Sequence, residues 1–126
     1  MSILQEEVSR LIEPMLQQRF YVVFSTMVQP LAALKSLLPD HLRYLIALEQ
    51  RGVLFASGPH FDADGSLEGN SMTIVRAGSL EEADAIAAQD PLHAGGIRSY
   101  VVKGWQVNEG SYSVTVSYSS GTYKIS

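Results

Sequence analysis

None of the 126 residues is cysteine. That excludes disulfides, thiolate nucleophiles and every cysteine-ligated zinc site. It fits a reducing compartment, so a cytoplasmic location is expected. Basic residues are scarce as well. Nine Lys and Arg stand against thirteen Asp and Glu, for a formal charge of -4. Phosphate backbones select a broad positive footprint, so no nucleic-acid partner is expected. No apolar run approaches the roughly 20 residues that a bilayer span needs, so no membrane partner is expected either. Glu6, Glu7 and Arg10 interrupt the first apolar pattern, which does not read as a secretory signal.

What is present is a globular composition, 46% hydrophobic and 17% charged. The length suits one domain able to bury a core of its own. Ile3, Leu4, Val8, Leu11, Ile12, Met15 and Leu16 recur at helical spacing, with a disturbance expected at Pro14. "RFYVVFSTMV", from Arg19 to Val28, is a β-branched and aromatic run that reads as a buried strand. Gln29-Pro30 opens a helical pattern that Pro39 divides. Its main piece is expected from about Pro39 to Arg51, with Gly52 as the stop.

"VLFAS", Val53 to Ser57, reads as a second strand. "GPHFDADGSLEGN" reads as a loop of turn formers, and Ser71 to Ala77 as a third strand. Ser79, with Glu82 three residues later, is a capping box for a helix through "LEEADAIAAQ". Asp90-Pro91 ends that helix, because a residue before proline avoids the α region. "AGG", Ala94 to Gly96, is a tight connection to a fourth strand over Ile97 to Val107.

The order strand, helix, strand, strand, helix, strand predicts an α+β, ferredoxin-like split βαβ fold. Its antiparallel sheet carries helices on one face. The bare apolar face predicts a homodimer or higher homo-oligomer, with the two sheets stacked as a barrel. The division expected is 1–18 as an N-terminal helical extension, 19–108 as the domain and 109–126 as a C-terminal β extension. In that tail Tyr112, Val114, Val116 and Tyr118 alternate with Ser and Thr, and Ser120-Gly121 marks a turn.

His41 is the first residue with chemistry to offer. It falls on the leucine side of its helix, a turn from Leu37, Leu38, Leu45 and Leu48. A buried imidazole without partners loses about 1–3 kcal/mol per stranded group. It is therefore either a core histidine satisfied by backbone or one that opens onto a cavity with a polar partner. Asp90 is the candidate partner. A carboxylate at a helix C-terminus meets the wrong end of the dipole and calls for a compensating donor. A His–Asp pair would fix the imidazole tautomer and leave the other ring nitrogen as a base. Such a base is suited to proton transfer on a small substrate.

"SGPH", Ser57 to His60, is read at the exit of the second strand. Gly58 permits close approach and Pro59 stiffens the exit. Ser57 has no nucleophile-elbow context. His60 and His93 fall in loop sequence. With His41 and Asp90 they show no metal-ligand spacing, so no metal is expected. "DADGSLEG" lacks the spaced ligands of a calcium loop and reads as a solvated hairpin. Trp105 reads as core or interface.

These residues resemble a known family. "DHLRYLIALEQRGVLFASGP", the later "DG" with Gly69, "SLEEADAIAAQDPLHAGG" and a last strand ending in Trp105 are similar to the YciI-like, YCII-related proteins. The resemblance covers roughly Arg19 to Val107. It implies a dimeric α+β barrel of ferredoxin-like subunits, related in shape to muconolactone isomerase. It also implies an active-site His–Asp pair, which falls on His41 and Asp90, beside a pocket floored by Ser57, Gly58 and Pro59. Members of known chemistry include a dehydrochlorinase of chlorinated hydroxyhydroquinone. The sequence departs from the family pattern at Leu92, Gly104 and Pro39 and in its two extensions.

The expectation is a cofactor-independent lyase or isomerase acting on a small cyclic or aromatic-derived compound. His41 is the acid or base, Asp90 orients it, and Arg43 or His60 binds an anionic group. The competing expectation is a non-catalytic small-molecule-binding or accessory dimeric module, since this fold hosts many non-enzymes.

Overall fold

The computed structural model describes residues 2–126. The chain forms two units, residues 19–106 and, separately, residues 1–18 with 107–126.

In the larger unit β1 (Gln18–Met27), β2 (Leu54–Phe61), β3 (Leu67–Val75) and β4 (Arg98–Val107) form one sheet in the order β2-β3-β1-β4. β3 runs antiparallel to both β1 and β2. Helix α2 (Leu38–Gln50) joins β1 to β2, and α3 (Leu80–Ala88) with the one-turn α4 (Pro91–Ala94) joins β3 to β4. This is the expected ferredoxin-like α+β pattern. In α2 the apolar spacing buries Leu45 and Leu48. On the sheet, strand alternation turns Val23, Thr73 and Val75 toward the helices, where they enclose a small gap with Leu45, Leu48 and Ala87. Val22, Phe24, Met72, Ile74 and Trp105 lie on the other face and line an apolar cleft of about 230 Å³.

Three expectations change in detail. The piece after Pro30 is a 3-10 helix, Leu31–Ser36, and α2 starts just before Pro39. Proline is well placed there, since first-turn N–H groups have no helical partner. The loop expected from Gly58 is strand instead. β2 continues through Gly58, Pro59 and His60 to Phe61, and β3 begins at Leu67. Pro59 is tolerated because β2 is an edge strand and its pairing is irregular between Pro59 and Phe61. The turn shrinks to "DADGS", where Gly65 at φ +83 and the Asp64 carboxylate on the Ser66 N–H close the hairpin.

Ser79 caps α3 by accepting from the Glu82 N–H at 3.1 Å, while Glu82 accepts from Gly78 rather than from Ser79. α3 stops at Ala88 as Pro91 requires, but Pro91 then starts a new helical turn. Gly95 closes α4, and a Cβ there would meet the Leu37 side chain and the Pro91 carbonyl oxygen. The bare glycine lets α4 lie against the start of α2.

In the smaller unit, α1 (Ile3–Ile12) is opened by a reciprocal cap. Ser2 Oγ accepts from the Gln5 N–H, and Gln5 Oε1 accepts from the Ser2 N–H. α1 ends before Pro14. β5 (Val114–Ser117) and β6 (Thr122–Ile125) pair as an antiparallel hairpin.

Candidate active site

His41 lies in the first turn of α2, and its exposure is 5%. Its Nδ1–H points between the two Asp90 oxygens, each at 2.8 Å. Asp90 is as deeply buried as His41. The backbone of Asp90 is extended, and its Oδ1 accepts from the Leu92 N–H at 2.9 Å. The carboxylate that follows the C-terminal end of α3 is therefore the N-cap of α4. One carboxylate ends one helix, starts the next and holds His41.

Burial pushes the Asp90 carboxyl up, but the His41 hydrogen bond, its charge and the Leu92 N–H outweigh that. The group is held below the ordinary aspartate value. It is thus a carboxylate at neutral pH, which an imidazole Nδ1–H needs as acceptor. Nδ1 is thereby assigned a proton, and in the neutral ring Nε2 is the nitrogen with the lone pair.

His41 lines a cavity of about 360 Å³. That volume falls within the usual range for small-molecule sites, whereas a cavity of about 150 Å³ already accepts benzene. Leu31, Leu34, Leu38, Leu42, Leu45 and Leu67 supply its apolar wall. Ser57, Gly58 and Pro59 form part of its boundary, and Ser71 and Arg98 join His41 as further polar groups. Ser57 Oγ shares a hydrogen bond with Thr73 Oγ1 at 2.9 Å. A Cβ on Gly58 would meet nothing within 4 Å.

The remaining candidates lie elsewhere. Arg43 is exposed and pairs with Asp40 at 3.0 Å, so it is a surface charge away from the cavity. His60 is in strand β2, not in a loop, and faces a separate groove of about 210 Å³. His93 lies in α4, not in a loop. Its Nδ1–H donates to the Ala87 carbonyl, its Nε2 accepts from Ser25 Oγ at 2.7 Å, and its ring stacks on Tyr100. Both nitrogens are spent on structure. Burial pushes this imidazole below its ordinary value, which keeps it neutral. Among the described residues no three His, Cys, Asp or Glu side chains gather to hold a metal ion.

Sequence reasoning missed Ser25, Ser71 and Arg98. A usable signal exists. Ser25 and Ser71 are cross-strand partners, and they share strand parity with the core residues Val23, Thr73 and Val75. Polar residues at core parity mark a place where the sheet faces something other than leucine.

The fold and the buried pair thus define a ferredoxin-like α+β protein with a His–Asp dyad opening onto a small-molecule-sized cavity. Residues 19–106 match the YCII-related domain, and the chain belongs to that family. It is similar in fold to 5-chloro-2-hydroxyhydroquinone dehydrochlorinase (TftG) from Burkholderia phenoliruptrix, solved in complex with 2,5-dihydroxybenzoquinone. The TM-score is 0.57 at 22% identity, over 70% of this chain and 93% of that chain. No curated protein matches the sequence. No described helix is long and apolar enough to cross a membrane.

Proposed function

We infer that this protein is a lyase or isomerase that moves a proton on a small cyclic or aromatic-derived compound. The observation that carries this reading is the buried His41–Asp90 pair opening onto a leucine-walled cavity. His41 Nε2 takes a proton from a substrate carbon. The electron pair of that C–H bond forms a new π bond. In an elimination, the neighbouring leaving group departs with its bonding pair. In an isomerisation, the imidazolium returns the proton to a different carbon. Asp90 holds the ring and stabilises the imidazolium that forms. Ser57, Gly58 and Pro59 shape the pocket. The step needs only protons, so the reading calls for no cofactor.

The similarity to a dehydrochlorinase in complex with a small quinone supports a ring compound as substrate. The reading extends to a homodimer closed across the apolar sheet face, where Phe24 and Trp105 are left exposed. The absence of cysteine supports a cytoplasmic setting.

The test is a screen of halogenated and hydroxylated ring compounds in D₂O, read by NMR for halide loss or carbon-bound deuterium. Turnover by the wild type that falls by about 10²–10⁴-fold in His41→Ala supports the mechanism. Turnover unchanged in that variant contradicts it. Saturable binding with neither product nor exchange favours the non-catalytic module. A monomer mass by light scattering at micromolar concentration contradicts the dimer.

A further inference from the structure

Arg98 opens β4, and only 6% of it is exposed. It lines the same cavity as His41. Its Nη1 donates to Ser71 Oγ at 3.0 Å, while Nε is buried with no acceptor. A guanidinium carries five N–H donors. Among the described residues, Ser71 is the one side chain that accepts from it. No carboxylate stands at ion-pairing distance from it among the described residues. Asp90 attracts it only from farther away, and the Asp90 oxygens are committed to His41 and Leu92.

A buried cation without a counter-ion is unfavourable, and a leucine or methionine would fill the same space without that cost. Burial accordingly pushes the guanidinium below its ordinary range, against the pull of Asp90. The planar fork of arginine matches a carboxylate through parallel N–H bonds. Ser71 Oγ accepts from Arg98 and keeps its own hydrogen to donate. The leucine wall suits an apolar body.

We propose that Arg98 and Ser71 are the carboxylate-recognition end of the cavity, and that the ligand is a small ring acid whose body lies against the leucines beside His41. This deepens the proposed function and rests on the same cavity being the ligand site. It places the anion-binding role on Arg98 in place of Arg43 and His60.

The experiment is calorimetric titration of the full chain with benzoate and with benzamide, its neutral counterpart. Benzoate is expected to bind saturably, about 10- to 100-fold more tightly than benzamide, as one charge-assisted contact implies. Arg98→Gln is expected to lose that preference, and Arg98→Lys to recover part of it. Equal affinities, absence of benzoate binding, or a preference that survives in Arg98→Gln would overturn the proposal. If Arg98→Gln does not fold, the wild-type comparison decides alone. His41→Ala keeps the two readings apart. If it retains both benzoate preference and proton transfer, the dyad mechanism fails and this site stands. If the wild type shows no preference while proton transfer depends on His41, this site fails and the mechanism stands.

Discussion

Replacing Asp90 by asparagine removes one negative charge and changes almost nothing in shape. Asp90 caps α4 through Leu92 and receives the His41 Nδ1–H between its two oxygens. Asparagine caps helices as well as aspartate does, so the Leu92 contact survives. The amide keeps one acceptor oxygen and sets an NH₂ group opposite Nδ1–H. An N–H then meets the Nδ1–H at the Oδ2 position, 2.8 Å away, while the Oδ1 position keeps a neutral acceptor that Leu92 already uses. The imidazole must lean toward that shared, uncharged oxygen or move its proton to Nε2. The loss is one buried, charge-assisted hydrogen bond, about 1.5–3 kcal/mol. For a domain of this size roughly 4 °C accompanies each kcal/mol, so Tm is expected to fall by about 6–12 °C. Differential scanning calorimetry near neutral pH measures it. A stability within about 0.5 kcal/mol of wild type would refute the reasoning, because surface substitutions alone reach that level.

Three further outcomes are expected. Gly95→Ala forces a methyl onto Leu37 and the Pro91 carbonyl, so it should cost about 1–3 kcal/mol and loosen the α4–α2 contact that presents Asp90 to His41; an unchanged urea midpoint contradicts this. Stability should decline on acidification from pH 6.5, the ordinary histidine value. Burial holds the folded His93 below it, so the unfolded chain takes up the proton first and stability, full above 6.5, is lost as pH falls toward the folded value. A second loss, from Asp90, begins below 3.8 and completes as pH falls through its depressed folded value. Urea midpoints against pH should show the first decline in wild type and a flatter curve in His93→Gln; identical slopes contradict the assignment. Arg43→Ala removes an exposed pair and should change stability by no more than about 0.5 kcal/mol, with benzoate affinity unchanged by calorimetry; a weakened affinity would return Arg43 to the site.

The strand and helix order was legible because apolar periodicity in "RFYVVFSTMV", "SMTIVRA" and the α2 leucines reports burial directly. The His41–Asp90 contact could be anticipated from two local anomalies, a histidine on a leucine face and a carboxylate where a helix must stop. The second function of Asp90 was hidden, since the same residues that end α3 begin α4. Gly58-Pro59 reads as a loop in the sequence because both residues favour turns, whereas it lies within β2. An edge strand needs fewer N–H donors than an inner one, and edge position is a tertiary fact. Arg98 was invisible for a related reason. Its burial depends on α2, β3 and β4 meeting around one cavity, and no local pattern records that meeting.

The measurement that tests the central claim most directly is a long-range ¹H–¹⁵N correlation spectrum of the wild-type histidines at about pH 8, above the ordinary imidazole pKa. Assigned to His41, it distinguishes the two neutral tautomers. Nδ1 is expected to carry a proton in the neutral ring, with an Nε2 signal that shifts when benzoate fills the cavity. A proton on Nε2 with none on Nδ1, or an Nε2 signal indifferent to benzoate at saturation, would contradict a His41 held by Asp90 and open to a ligand.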